Sequence, residues 1–207
     1  MSAIRRMLMV ANEKTLPIID GHEYVDLGLP SGTLWATMNV GASTIFDIGL
    51  YFQWGKIIGY TTGASSPAYD NNKYKNASDP DELNIEDDGV FSYWGGGWRI
   101  PSKEQLEELK QYTIETSISN YKNSGISGRL YTSTINNKFL FFPNTGIYAP
   151  RNNKKMQDSH VCFQSRTRSL LTINRGNEKC VEFLTYKANI ITDEFRSYLT
   201  PLRGVHL

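Results

Sequence analysis

The amino-acid sequence predicts an α+β fold of short antiparallel strands with one or two helices and long irregular loops. Three observations predict it: apolar or alternating runs of strand length recur along the chain, turn-forming residues separate them, and one segment carries a complete helix-start signal. Seventeen glycines and 8 prolines beside a 40% apolar fraction describe a globular chain rich in turns, not a disordered one. Its 207 residues suffice for one sizeable core.

The first element is a short apolar segment. Ile4, Met7, Leu8 and Ala11 lie at helical spacing, with Val10 beside them, and suit a short amphipathic helix or an apolar tail docked on a partner. Arg5 and Arg6 before Met7–Ala11 imitate the start of a secretory signal, but the apolar stretch is too short and no small-residue cleavage site precedes Asn12-Glu13-Lys14. Residues 1–17 are therefore read as an attachment segment with Ile4, Met7, Leu8 and Val10 as its contact residues, and 18–207 as the domain.

Strand signals begin after Ile18. Glu23–Leu27 alternates, and Leu29–Trp35 reads as a turn followed by a strand. Gly59 to Asp88 is rich in Gly, Ser, Pro, Asn and Asp, which predicts a long surface loop. Then comes the helix: Ser102 and Gln105 form a capping box, and Leu106 and Leu109 share a face through about Tyr112. Lys138–Pro143 reads as a buried strand. Further strands are expected around Val161, Leu170–Ile173, Val181–Leu184 and Leu202–Val205, separated by turns such as Asn174-Arg175-Gly176-Asn177. Indoles bury large apolar areas, so Trp35, Trp54, Trp94 and Trp98 are assigned to the core. Arg99, with five donors, is assigned as a hydrogen-bond hub for loop carbonyls.

Three blocks carry a family resemblance: Val25–Thr37 continuing to Asn39–Ala42, Gly49–Gly55, and Glu86–Asp88 leading into Trp94–Ser102. Together they resemble the Fibrobacter succinogenes major paralogous domain, a branch of the C-type-lectin-like folds related to formylglycine-generating sulfatase-modifying enzymes. Phe141–Gly146 resembles a later family block and Leu202–Val205 the terminal strand. Around Cys162–Ser165 the sequence departs from the family's aromatic pair and serines. The resemblance implies a C-type-lectin-like domain that binds a ligand at its surface.

Signals for other chemistry are weak. Twenty-two Lys and Arg against 21 Asp and Glu leave a net charge of +1, which supplies no field to hold nucleic acid, and no apolar run reaches the length of a membrane span. Asp79, Asp81, Glu82, Glu86, Asp87 and Asp88 are rich in oxygen ligands but lack EF-hand spacing, so no metal or other cofactor is expected, and Asp87 and Asp88 are read as turn caps. The enzymes implied by the resemblance need a reactive cysteine pair or copper site. Cys162 and Cys180 lie on separate predicted strands, and His22, His160 and His206 are scattered, so no catalytic residue is assigned.

A binding surface is what remains. Tyr69, Asn71, Asn72, Tyr74 and Asn76 in the long loop, with Tyr148, Arg151, Asn152 and Asn153 after the apolar strand, mix aromatics with adaptable amides suited to a glycan or protein ligand. The expected function is non-catalytic binding or adhesion. A phage virion protein, made without a signal and displayed as fibre, tail or capsid decoration, reconciles a ligand-binding body with an apolar attachment segment that joins a virion or oligomer. The alternatives are a bacterial cell-surface adhesion module and, remotely, an enzyme of the formylglycine-generating type.

Overall fold

The computed structural model describes residues 16–61, 80–149, 154–156, 160–168, 180–185, 190–195 and 198–207. Leu170–Ile173 and the Asn174–Asn177 turn lie outside them. The architecture is mixed α+β with antiparallel strand pairs.

One sheet joins the two ends of the described chain. It contains β1 (Ile18–Ile19), β2 (His22–Asp26), β3 (Leu34–Asn39) and β14 (Arg203–His206) in the order β1-β2-β3-β14. The β1–β2 turn is tight, with Asp20 and Gly21 both at positive φ. Leu16 and Pro17, placed by sequence in the attachment segment, belong to this sheet's margin: the Pro17 carbonyl accepts from the Tyr24 amide.

The second sheet has the order β4-β13-β8-β9, from β4 (Tyr51–Gln53), β13 (Leu199–Pro201), β8 (Ile147–Ala149) and β9 (Lys154–Met156). The third is β5 (Thr113–Ile118), β6 (Gly128–Ser133) and β7 (Phe139–Pro143) in sequence order. The fourth is β10 (Cys162–Arg168), β11 (Cys180–Thr185) and β12 (Ile190–Phe195), also in sequence order.

Among the described residues two α-helices sit between the strands. In α1 (Gly89–Trp94) the buried Asp88 carboxylate caps the amides of Val90 and Phe91. In α2 (Lys103–Tyr112) both arms of the capping box are made, Ser102 accepting from the Gln105 amide and the Gln105 side chain from the Ser102 amide. A Ser cap of this kind contributes about 1 kcal/mol. Leu106 and Leu109 are fully buried beneath it.

Among the described residues the core forms two clusters. Trp35 packs edge-on against Phe142 and Phe163, with Val25, Leu27, Leu106 and Leu140 around them. Trp54 and Trp98 belong to the other cluster, with Phe52, Val90, Ile100 and Leu202. Trp94 departs from the sequence assignment: it is only partly buried and packs on that cluster's margin, because it is the last residue of the six-residue α1 and one face of its indole is left to His22. Gly204 is required here, since a Cβ would strike the Trp94 ring.

Arg203 is fully buried and meets no carboxylate among the described residues. It donates to Asn39 Oδ1 at 2.7 Å and to the Ala36 carbonyl at 2.9 Å, lies 3.5 Å from the Phe141 carbonyl, and stacks 4.3 Å from the Phe142 ring centre. Burial lowers its pKa to about 9, so it stays charged at neutral pH. One cation thereby ties β14 to β3 and to β7.

Trp98→Ala should cost about 3–5 kcal/mol in urea unfolding, because a fully buried indole is removed and its hydrogen bond to the Ile19 carbonyl goes with it. His22 gives a pH prediction. It stacks on Trp94 at 4.1 Å, and burial lowers its pKa below 6.5 although Asp20 pulls the other way. A neutral imidazole is thus favoured by folding, so its contribution is complete above pH 6.5 and is lost as pH falls through the lower folded value. Unfolding midpoints measured between about pH 7 and 5 should fall more in the parent than in His22→Phe, which retains the stacked ring.

Candidate functional site

The described residues enclose a groove of about 640 Å3 between the first and third sheets. That volume lies within the range of ligand-binding clefts, roughly 300–1,000 Å3. Strand alternation builds one wall, because Glu23 and Val25 two apart on β2 point the same way, with Thr37 of β3 beside them. Phe139, Leu140 and Phe141 of β7 build the other, and Leu16 and Ile45 contribute further apolar surface. The sequence assignment of β7 as a buried strand fails at its first residue. Phe139 is 48% exposed because it stands at the groove mouth on the strand's end.

Two stiff loops frame this mouth. In the loop from Asn120 to Ile126, the Tyr121 amide donates to the Ile126 carbonyl, Gly125 to the Asn120 side chain, and the Ser124 hydroxyl to the Tyr121 carbonyl. These bonds hold Lys122 in the left-handed region, φ 49 and ψ 32, where an L-residue with a long side chain is strained. They also stack Tyr121 on Phe141, with ring centres 4.0 Å apart and planes within 13°. Burial raises the Tyr121 pKa above its usual value, so its hydroxyl is neutral in the physiological range.

The second loop is the β6–β7 turn. Ser133 Oγ accepts from the amides of Ile135 and Asn136, Asn136 Oδ1 accepts from the Lys138 amide, and Asn136 Nδ2 donates to the Asp26 carbonyl on β2. Asn137 is left-handed with φ 60, a conformation asparagine tolerates. Arg203 fixes the spacing of the walls, since it bonds to Ala36 and Asn39 of β3 and approaches the Phe141 carbonyl of β7.

Away from the groove, the groups best suited to chemistry are engaged in structure. The Asp88 carboxylate, fully buried, accepts from the amides of Val90, Phe91 and Ile100 and pairs with Arg99 Nε at 2.7 Å. Arg99, half-buried, also donates to the Leu83 carbonyl. Arg166 links the Ile100 carbonyl, Gln105 and Glu82, and joins β10 to α2. The β10–β11 register sets Cys162 opposite Thr185, whereas Cys180 lies five residues away, opposite Phe195 of β12. At roughly 3.3 Å per residue this exceeds the reach of a disulfide between them. Among the described residues, no group of three His, Cys, Asp or Glu is placed to hold a metal ion, and no helix is long and apolar enough to cross a membrane.

Of the binding surface expected from sequence, only Tyr148 falls within the described residues. It lies on β8, half-buried, with its ring edge-on to Tyr51 at 4.9 Å. Tyr69, Asn71, Asn72, Tyr74, Asn76, Arg151, Asn152 and Asn153 lie outside them, as do Ile4, Met7, Leu8 and Val10. The groove was not anticipated. The available signals were Phe139–Phe142 beside the Asn136-Asn137 turn, but nothing local brings Tyr121 onto Phe141.

Fold and site together define an α+β domain with a preorganised, largely apolar groove. No family model, curated protein or solved structure matches the chain.

Left-handed strain at Lys122 is measurable. Lys122→Gly should raise unfolding free energy by about 1 kcal/mol, because glycine takes this conformation without a Cβ clash. A loss of stability of that size in urea titrations would show that the lysine side chain contributes more than its backbone costs.

Proposed function

We propose that this protein is a non-catalytic ligand-binding domain of the C-type-lectin-like type, displayed on a phage virion as a fibre, tail or capsid decoration. The residues before Leu16 attach it, and the body recognises a surface glycan or protein on the host.

The observation that carries this reading is the division of labour among side chains. Asp88, Arg99, Arg166 and Arg203 are engaged in internal bonds, while the preorganised concavity is apolar and bordered by stiff loops. Such a surface binds without offering an activated nucleophile or base. The resemblance blocks support the lectin-like reading in three dimensions. The first block forms β3 and the last forms β14, and these pair directly, with Val205 opposite Trp35. The Trp-Gly block leads through the buried Trp98 into the capped start of α2.

Deletion of residues 1–15 should leave a cooperatively unfolding body, since the strands and the core clusters are built from residues beyond them. The same deletion should abolish incorporation into particles, because an apolar anchor repeated among neighbouring copies supplies much of the binding energy. Particle-bound protein is quantified by immunoblot of purified virions. Equal incorporation of the truncated and full chains would end the attachment reading.

A further inference from the structure

We propose that the groove between β2–β3 and β7 is a binding site for a single-chain carboxylate, an amphiphile with an apolar tail and an acidic head. This goes beyond the displayed-binder reading and stands whether or not the protein belongs to a virion.

The interior selects the tail. Val25 and Leu140 are buried along it, and Leu16, Ile45 and the exposed Phe139 extend apolar surface to the mouth. A flexible hydrocarbon chain removes such surface from water at about 25 cal/mol per Å2.

The mouth selects the head. Lys122 and Lys138 both line the groove, both are exposed, and neither pairs with a carboxylate among the described residues. Their backbones are held by the two stiff loops. The Lys122 ammonium stands 5.9 Å from the Tyr121 ring centre, which keeps it over the mouth. Tyr121 stacks on Phe141 of β7 and Lys138 immediately precedes that strand, so both lysines belong to the β7 side of the groove. Glu23 stands on the opposite wall, so an anionic head is drawn to the lysine side and repelled from β2. Two cations confronting one carboxylate leave a net positive rim, the complement of an acid.

Decanoate below its micelle concentration, titrated calorimetrically into the full chain, tests this. Saturable one-to-one binding is expected, weakened about tenfold in the Lys122→Gln, Lys138→Gln double variant as a charge-assisted contact is lost. Glu23→Gln should tighten binding and Phe139→Asp should abolish it, with melting temperatures confirming that each variant is folded. Decyl maltoside, which has the same tail and a neutral head, should bind at least about tenfold more weakly. The proposal is overturned if the two amphiphiles bind alike, if decanoate fails to bind the folded full chain, or if anionic phospholipid vesicles bind where monomeric decanoate does not. Binding that appears only after deletion of residues 1–15 also overturns it, and assigns the groove to the chain's own N-terminal segment. Particle incorporation is read separately, so failure here leaves the virion reading standing and the converse also holds.

Discussion

A single buried guanidinium holds the two groove walls in place. Arg203 lies on the last strand, yet its donors reach Ala36 and Asn39 on β3 and its plane covers Phe142 on β7. Its charge has no carboxylate partner among the described residues, and carbonyl and amide oxygens with an aromatic face replace the lost hydration. Such a group tolerates little displacement, because each oxygen that withdraws leaves part of a buried charge unsolvated. The group links the first sheet to the third, and the groove lies between those sheets.

Asp88 plays the complementary part for the other core cluster. One fully buried carboxylate caps α1, receives the Ile100 amide and pairs with Arg99, which reaches on to the Leu83 carbonyl. The segment before α1, the Trp-Gly turn and the entry to α2 are thereby tied to one anion. Loop-rich architecture needs such centres, since short strands satisfy few of their own polar groups and the remaining carbonyls must find donors elsewhere. At the groove mouth Lys122 is held left-handed by a loop bonded to itself. The body and the mouth therefore differ in kind: one is organised around buried charges, the other around two stiff turns.

Much of the local structure was legible in the sequence. Ser102 and Gln105 state the start of α2 because a capping box depends on residues three apart, and the alternation of Glu23–Leu27 states a half-buried strand because strand side chains alternate by geometry. The burial of Trp35, Trp54 and Trp98 follows from their apolar area. Strands β5, β6 and β12 were among those missed, since Thr113–Ile118, Gly128–Ser133 and Ile190–Phe195 mix polar and apolar residues and are specified by their partners more than by their own pattern.

The sequence by itself determined the class of the fold, the capped helix and most of the large side chains that fill the core, since these depend on spacing and size within a few residues. Only the tertiary structure decided the site. Tyr121 meets Phe141 across 20 positions, and Arg203 meets Asn39 across 164. Their encounter depends on how the sheets pack, and no local pattern encodes it. The groove, with its lysines on one side and Glu23 on the other, exists because packing brought together residues that carry no shared signal along the chain.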